Sequence, residues 1–301
     1  MDPILSCHNI TKAYGSKVAL HETSLSIAEN SITGLLGPNG AGKTTIIRML
    51  MQITAPDSGS ISYRGRQLAR TDLQKFGYMP EERGLYKKMK VEEQLLYFAS
   101  LNKIHKQKAQ QIINNWLNLF EIQDWRKRKV DELSKGQQQK IQFIITVLHD
   151  PEILILDEPF TGLDPVNAEI IKTEILKLAK AGKTVILSTH RMENVEELCN
   201  HICLVNHGKT LLNGRTEDIR NQFDRQEYLI KLDGDFDHST WGEIELRVIG
   251  NHQFIIKADS IKVRLILESL LTNKNLNILK FEKLLPTINE IFINLVSNSG
   301  K

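Results

Sequence analysis

This chain of 301 residues lacks long hydrophobic runs, an excess of one charge and a set of cysteines that would form a disulfide framework. No stretch approaches the roughly 18 to 20 consecutive apolar residues of a membrane-spanning helix. Interspersed basic and acidic residues, 39 and 36, leave a net charge of +3, which indicates neither a nucleic-acid nor an acidic-substrate partner. A composition of 41% hydrophobic and 25% charged residues excludes disorder and collagen-like repeats and predicts one or two packed domains.

The three cysteines, Cys7, Cys199 and Cys203, are an odd and scattered set, which is typical of a reducing compartment without disulfides. Cys199, His201 and Cys203 have no fourth residue at a zinc-type spacing, so buried thiols are favoured over a metal site. Residues 1–3 do not begin the basic-then-apolar pattern of a secretory signal. We therefore expect a cytoplasmic protein.

Short apolar runs alternate with helical patterns and predict an α/β core. Residues 31–36 form an apolar run before a glycine-rich loop and a helix that starts near Thr44. The runs 153–156 and 185–187 have the continuous apolar character of strands buried on both faces of a parallel sheet. A helix is predicted over 168–181. We therefore expect a mostly parallel sheet flanked by helices.

Two regions depart from this pattern. Strand signals vanish over 91–150, which predicts an inserted helical subdomain at about residues 82–150. After residue 223, alternating apolar residues and helical patterns predict a separate small α+β domain over 224–301. Its predicted elements are strands over 228–232, 244–248 and 254–256, a helix over 261–271, and a last helix that starts with a Thr287/Glu290 capping box.

The residues at 37–44 match the pattern G-x-x-x-x-G-K-[ST] in full, between a predicted strand and a predicted helix. Backbone amides of such a loop converge on phosphate, and the helix amino terminus adds positive potential. We expect Lys43 to bridge the β- and γ-phosphates of a nucleotide and the Thr44 hydroxyl to ligate Mg²⁺. The loop residues are Gly37, Pro38, Asn39, Gly40, Ala41, Gly42, Lys43 and Thr44.

Two adjacent carboxylates follow the predicted strand 153–156, at the sheet edge where ligands of α/β proteins collect. Alone, such a pair is more often a solvated turn. Beside a phosphate loop, Asp157 suits Mg²⁺ binding, and Glu158 is placed to polarise a water for attack on the γ-phosphate.

The segment Leu-Ser-Lys-Gly-Gln at 133–137 precedes a helical pattern, which places Ser134 at a helix start. Two interpretations stay open here. The first is a helix cap. The second is an anion site in which the amides of Ser134 and Gly136, with the serine hydroxyl, bind the γ-phosphate of a nucleotide held by another subunit.

Three motifs follow one another along the chain: the phosphate loop, the 133–137 segment and Leu-Asp-Glu-Pro at 156–159. In this order they resemble the nucleotide-binding subunits of ATP-binding-cassette (ABC) transporters. The resemblance covers residues 1 to about 220. It implies an ATP-binding domain over 1–223, with a P-loop NTPase core, an amino-terminal antiparallel β subdomain and the helical insert. It also implies ATP as substrate, Mg²⁺ as cofactor and ATPase activity.

Further roles follow from the resemblance alone. Tyr14 matches the aromatic that stacks on adenine, and His190 matches the switch histidine that contacts the γ-phosphate. Asp164 lies in a segment, 162–164, that crosses the dimer interface of the family. The other nucleotide contacts that the resemblance implies are Thr45 and Gln137.

The family's mechanism implies that two such domains sandwich two ATP molecules head to tail, each phosphate loop facing the other subunit's 133–137 segment. Hydrolysis assisted by Glu158 and His190 reopens the dimer and moves a membrane partner. The expected partners are therefore an integral membrane permease and a second ATP-binding subunit, identical or related, without nucleic acid. The expected location is peripheral, on the inner face of the cell membrane.

Two positions depart from the family pattern. Glu81 stands where the family usually has glutamine, and we expect its carboxylate to reach Mg²⁺ or the attacking water with one added negative charge. Lys135 replaces the first glycine of the usual pair. We expect its side chain to face solvent, while Ser134 and Gly136 keep the amide geometry.

Residues 80–86 and the carboxyl-terminal domain resemble bacterial export ATPases for sodium or drugs. We therefore expect export of an ion or small molecule, with the 224–301 domain as an accessory for dimer support or regulation. The alternative is a soluble ABC-type ATPase acting on ribosomes or DNA, against which a single cassette and a short helical insert argue. A kinase built on the same loop leaves the 133–137 segment and Glu158 unexplained.

Overall fold

The structure is a computed structural model that describes residues 3–234, 241, 244–273 and 276–298. Residues 1 and 2, part of the secretory-signal expectation, lie outside the described residues. The chain divides into two compact units, residues 1–216 and 217–301. Within the described ranges, no helix combines the length and apolar content needed to cross a bilayer.

Unit one combines two β-sheets with a helical segment. Its strands are β1 (Pro3–Tyr14), β2 (Lys17–Ala28), β3 (Ile32–Leu36), β4 (Ser58–Tyr63), β5 (Arg66–Gln67), β6 (Phe76–Met79), β7 (Ile153–Asp157), β8 (Thr184–Thr189), β9 (His201–Asn206) and β10 (Lys209–Arg215). Its α-helices are α1 (Lys43–Leu50), α2 (Val91–Leu101), α3 (Lys106–Leu119), α4 (Lys135–Val147), α5 (Pro165–Lys180) and α6 (Met192–Leu198). Short 3-10 helices cover Arg70–Lys75, Gln123–Lys127 and Val130–Glu132.

The central sheet has the strand order β10-β9-β3-β8-β7-β6 and is parallel except where β10 pairs with β9. Every residue of β3, β7 and β8 is buried, which explains their continuous apolar runs in the sequence. Leu36 pairs with Thr189, and Asp157 with Ser188, at the carboxyl ends of these strands. The predicted parallel core is confirmed, and its ligand-binding edge lies at these residues.

A second sheet, with the order β2-β1-β4-β5, is antiparallel. β1 and β2 form a hairpin in which Tyr14 pairs with Lys17, and Gly15 takes a positive φ of 60° in the turn between them. Buried side chains of this sheet share one hydrophobic core with Ile46 and Ile47 of α1. This is the amino-terminal antiparallel subdomain that the resemblance implied, and it supports the phosphate loop from one side.

Helices α2, α3 and α4 fill the region between β6 and β7, which confirms the inserted helical subdomain. Ala109, Ile113 and Leu117 form the buried face of α3. The Phe120 ring packs against Phe143 of α4, with 6.0 Å between ring centroids. The insert therefore has an aromatic core that fixes the position of α4.

Unit two is an α+β domain, as predicted. Its elements after helix α7 (Thr216–Gln222) are β11 (Glu227–Asp233), β12 (Glu245–Gly250), β13 (Gln253–Lys257), α8 (Ser260–Thr272), β14 (Asn277–Leu284) and α9 (Ile288–Asn298). The antiparallel sheet, ordered β12-β13-β11-β14, shares a core with Val263, Ile266 and Leu270 of α8. The predicted capping box is present, since the Glu290 amide donates to Thr287 Oγ1 (3.1 Å) and the Thr287 amide donates to Glu290 Oε2 (2.8 Å).

The division between the units falls at residue 216, whereas the sequence pattern changes at residue 223. Helix α7 occupies the interval. The Arg220 guanidinium donates to the carbonyl oxygens of Pro286 (2.9 Å) and Leu285 (3.3 Å), which attaches α7 to the segment before α9. These bonds join residues about 65 positions apart and have no local signal in the sequence.

All three cysteines are buried and free of disulfide bonds. Burial raises the pKa of each thiol, Cys7, Cys199 and Cys203, to about 12. These side chains therefore belong to the hydrophobic core, as the sequence predicted.

Candidate functional site

One open cleft of about 410 Å³ lies at the carboxyl ends of β3, β7 and β8, and we name it the phosphate-loop cleft. Most residues predicted to contact nucleotide or metal line it: Tyr14, Asn39, Gly40, Gly42, Lys43, Thr44, Thr45, Glu81, Asp157, Glu158 and His190. Gly37, Pro38 and Ala41 lie in the same loop without lining the cleft. Lys17 and Ala19 line it as well and were missed, because β2 carries no motif.

The backbone of the phosphate loop requires glycine at two of its positions. Gly37 and Gly42 have positive φ angles of 149° and 112°. A Cβ atom on Gly37 would lie 2.1 Å from the Val205 carbonyl oxygen, and one on Gly42 would lie 2.6 Å from Leu20 Cδ2. The loop therefore fits tightly against β9 and β2, and only the bare backbone of these glycines allows this approach. Such a fixed loop followed by α1 is a cradle for phosphate.

Lys43 places a buried ammonium in this loop. Its Nζ donates hydrogen bonds to the carbonyl oxygens of Gly37 (2.7 Å) and Pro38 (3.1 Å), and the residue is only 8% exposed. Burial lowers the pKa of Lys43, and the nearby carboxylates of Glu158 and Asp157 oppose this effect. The cation is therefore held at the loop and faces a cleft rich in carboxylates.

Asp157 ends β7 with a buried carboxylate. Among the described residues, no group hydrogen-bonds its Oδ2 atom. Burial raises the pKa of Asp157, and the negative charges of Glu81 and Glu158 raise it further. The unpaired carboxylate oxygen of Asp157 and the hydroxyl of Thr44, which line the same cleft, are oxygen ligands that suit a hard cation such as Mg²⁺.

Glu158 and His190 form a hydrogen-bonded pair. Glu158 Oε1 accepts from the His190 backbone amide (3.0 Å) and lies 2.7 Å from His190 Nδ1. Since an ionised carboxylate only accepts, Nδ1 carries the proton of this bond. The hydroxyl of Thr189 donates to the other carboxylate oxygen at 3.3 Å.

The backbone at Glu158 is strained. Its φ of 51° lies in the left-handed region, which costs about 1 to 2 kcal/mol for a residue other than glycine. Two bonds hold the turn: the Glu158 amide donates to the Ser188 carbonyl oxygen (2.9 Å), and Gln139 Nε2 donates to the Pro159 carbonyl oxygen (3.0 Å). In this conformation the Glu158 carboxylate contacts His190 and lines the phosphate-loop cleft.

The remaining predicted residues lie in a different place. Ser134, Gly136, Gln137 and Asp164 line a second cleft of about 900 Å³, named here the Ser134 cleft. Ser134 caps α4: its Oγ accepts from the Gln137 amide (3.2 Å), and the Ser134 amide donates to Gln137 Oε1 (2.8 Å). The helix-cap interpretation is therefore confirmed, and the anion-site interpretation stays a prediction.

The Ser134 cleft is bounded by a second helix start. Asp164 caps α5, where its Oδ1 accepts from the Asn167 amide at 3.0 Å. Hydrogen bonds from Asn167 lower the pKa of Asp164. A Cβ atom on Gly136 would lie 3.0 Å from the Gly162 carbonyl oxygen, so the start of α4 packs against the 162–164 segment. No residue lines both this cleft and the phosphate-loop cleft.

Comparison with known proteins identifies the family. A family model described as ABC transporter matches residues 20–161, and one described as the C-terminal domain of DrrA1-3-like ATP-binding proteins matches residues 214–296. The uncharacterised ABC transporter ATP-binding protein YhaQ of Bacillus subtilis is 42% identical over 97% of this chain and 98% of its own length. Nod factor export ATP-binding protein I of Sinorhizobium fredii is 34% identical over 71% of this chain and 63% of its own.

A solved structure of an ATP-binding subunit of an ABC transporter has a TM-score of 0.68 at 27% identity, over 73% of this chain and 93% of its own. The matched sequences and this fold agree with the order of motifs along the chain. The chain therefore belongs to the family of ABC transporter ATP-binding proteins.

Proposed function

We propose that this chain binds ATP with Mg²⁺ in the phosphate-loop cleft, hydrolyses it with Glu158, and thereby powers export through a separate membrane permease. One observation carries the proposal: the fixed glycine loop, a buried lysine and a histidine-bound glutamate line one cleft. This combination provides phosphate binding and water activation side by side, which is what ATP hydrolysis needs.

The binding step uses the loop and Lys43. Amides of the 37–44 loop and the amino end of α1 face the phosphates, and Lys43 exchanges its bonds to the loop carbonyls for phosphate oxygens. Tyr14, which is 47% exposed at the end of β1, offers a ring face for the adenine base. Lys17 lies on the opposite strand of the hairpin and adds a second cation at the rim.

The charge balance of the cleft favours a divalent cation. Three carboxylates, Glu81, Asp157 and Glu158, outnumber the two lysines, so the charged side chains taken together repel a bare triphosphate. Among the described residues, no three His, Cys, Asp or Glu side chains form a metal site by themselves. Thr44, Asp157 and Glu81 would therefore hold Mg²⁺ together with the phosphates. When bound, Mg²⁺ neutralises phosphate charge.

The hydrolysis step belongs to Glu158. Its carboxylate accepts a proton from the attacking water, or orients that water, as it moves toward the γ-phosphate. The His190 and Thr189 bonds fix the carboxylate, and the Nε2 atom of His190 is left to contact the γ-phosphate. Ordered water in line with the leaving oxygen is the expected geometry.

The second cleft implies a second copy or a related subunit. Ser134, Gly136 and Gln137 do not line the phosphate-loop cleft of their own chain. In a two-fold dimer a contact between two different patches occurs twice, so each Ser134 cleft would close the nucleotide held in the partner's phosphate-loop cleft. ATP then holds the dimer together, and hydrolysis opens it.

Export and the permease are inferred from the relatives. One relative is named for Nod factor export, and unit two matches the DrrA1-3-like C-terminal domain. We propose that this chain also serves export, of an ion such as sodium or of a small molecule. A peripheral position at the inner membrane face follows, with unit two as an accessory domain.

The catalytic assignment is tested by Glu158→Gln, with Glu268→Gln on an exposed face of α8 as the matched control. We expect Glu158→Gln to keep ATP affinity and to lower the steady-state hydrolysis rate by at least about 100-fold, because general base catalysis contributes this much. The control is expected to hydrolyse ATP at the wild-type rate. Full turnover by Glu158→Gln would contradict the assignment.

A further inference from the structure

Lys12 lies on β1, two residues before the Tyr14 ring that is proposed to stack on adenine, and it has no role in the proposed function. Its ammonium lies over the Tyr14 ring, with 5.8 Å between Nζ and the ring centroid. A cation at this distance is attracted by the electrons of the ring face. Tyr14 lines the phosphate-loop cleft, whereas Lys12 does not. The ammonium therefore covers one face of the ring from outside the cleft and leaves the other face to a base.

Asp57, just before β4, fixes this ammonium over the ring. Its Oδ1 accepts a hydrogen bond from Lys12 Nζ at 2.6 Å, and the Lys12 side chain is only 15% exposed. The Ala13 amide donates to the other carboxylate oxygen of Asp57 at 2.8 Å. The bond from Lys12, and then that from the Ala13 amide, lower the pKa of Asp57, so the carboxylate is ionised at neutral pH. One carboxylate thus holds both the Lys12 side chain and the backbone next to Tyr14.

The Tyr14 ring has few other constraints on its orientation. The pairing of β1 with β2 shifts register between Lys12 and Ala13, just before the hairpin turn. In the part of the chain that the structure describes, no group hydrogen-bonds the Tyr14 hydroxyl. An exposed ring loses rotamer freedom when a base stacks on it, and this loss lowers affinity. Contacts that order the ring before the nucleotide arrives reduce that loss, which gives the Lys12 and Asp57 pair a role in binding.

We propose that Lys12, held by Asp57, is a positioning residue that orders the Tyr14 ring for stacking on the adenine base of ATP. The inference rests on the proposed function, because it requires that Tyr14 stacks on the base. Lys12 acts through the ring and not on the nucleotide itself. Its contribution therefore depends on the base, whereas the 37–44 loop and Lys43 bind the phosphates. A ligand with phosphates but without a base should bind equally well with and without the Lys12 cation.

The test compares ATP with inorganic tripolyphosphate, each with Mg²⁺, as competitors of a fluorescent ATP analogue that carries its label on the ribose. Lys12→Met removes the charge and keeps an unbranched side chain over the ring. We expect Lys12→Met to bind ATP about three- to tenfold more weakly, because ordering one side chain on binding costs this much affinity. It should bind tripolyphosphate with wild-type affinity. Lys12→Arg keeps a cation over the ring and should restore ATP affinity to within about twofold of the wild type.

A second comparison separates positioning of the ring from a general structural role. In the Tyr14→Ala background, adding Lys12→Met should cause no further loss of ATP affinity, because the ring through which Lys12 acts is gone. Lys257→Met is the matched control, since Lys257 is also a strand lysine in an ion pair, with 3.1 Å between its Nζ and Glu245 Oε2. We expect this control to bind ATP like the wild type.

The outcomes distinguish the two proposals. Wild-type ATP affinity of Lys12→Met, or an equal loss with and without the Tyr14 ring, would overturn the role of Lys12 and leave the proposed function intact. Equal losses for ATP and tripolyphosphate would also overturn it, because the effect would then lie at the phosphates. Wild-type ATP affinity of Tyr14→Ala would contradict adenine stacking itself, and the role of Lys12 with it. A loss for ATP alone that Lys12→Arg reverses and Tyr14→Ala abolishes is the result expected.

Discussion

The two lysines that line the phosphate-loop cleft differ in their exposure to solvent. Lys43 is buried and bound to the loop carbonyls, whereas Lys17 is exposed at the start of β2. Buried charges are screened far less by solvent and salt than exposed ones. We therefore expect the two lysines of this cleft to contribute very differently to phosphate binding.

Replacing each lysine tests this difference. We expect Lys43→Ala to weaken ATP binding at least about tenfold, because a charge-assisted contact with phosphate is lost from a buried position. Lys17→Ala is the matched control and should weaken binding by no more than about threefold, since an exposed charge contributes little. Titration of a fluorescent ATP analogue measures both, and unchanged affinity of Lys43→Ala would refute the role of this lysine.

Single residues were predictable where a motif fixes their spacing. The phosphate loop, Asp157 and Glu158 were placed from local sequence, and most of the loop lines one cleft with both carboxylates, Tyr14 and His190. The burial of Lys140 was not predicted, because its ammonium packs over the rings of Phe120 and Trp125, which lie 15 to 20 positions earlier in the chain. Burial of a lysine against distant rings has no local signal.

Among the elements, the phosphate loop leaves no space for a side chain at Gly37. We expect Gly37→Ala to lower the free energy of unfolding by at least about 3 kcal/mol, because the added methyl overlaps the Val205 carbonyl oxygen and φ is positive. Gly40→Ala is the matched control. Gly40 also has a positive φ but open space around a new Cβ, so it should lose only about 1 to 2 kcal/mol.

Urea unfolding without nucleotide measures both glycine variants, with a probe in unit one. A larger loss for Gly37→Ala supports the packing of the loop against β9. Equal losses would mean that the backbone angle alone, and not the contact with β9, makes glycine necessary there.

Elements with a continuous apolar run or a clear helical period were predicted well. β3, β7 and β8 are fully buried, and each contains a run of apolar residues, although β8 also buries Thr184, Ser188 and Thr189. β1 and β2 followed only from the family resemblance, and β14 was not predicted at all. β14 mixes charged and apolar residues over Asn277–Leu284 and is set in place by pairing with β11. Pairing with a distant strand is a tertiary effect that overrides local pattern.

At the scale of the whole molecule, the residues that line the phosphate-loop cleft and those that line the Ser134 cleft all lie in unit one. Unit two has its own core and matches a family of carboxyl-terminal domains. Alternating apolar residues and helical patterns in the sequence predicted this second domain. The position of α7, in contrast, depends on the contacts of Arg220 with residues 285 and 286. The residues proposed for ATP binding and hydrolysis therefore all lie in unit one, and we propose that unit two serves assembly or regulation.

The proposed coupling to a permease makes a direct prediction about the native complex. The full chain, extracted from its native membrane in mild detergent and affinity-purified, is expected to carry an integral membrane protein with several spans in stoichiometric amount. That protein would hold the substrate pathway and allow the exported molecule to be identified. Recovery with ribosomes or DNA, and without any membrane protein, would contradict the central claim that this ATPase powers transport.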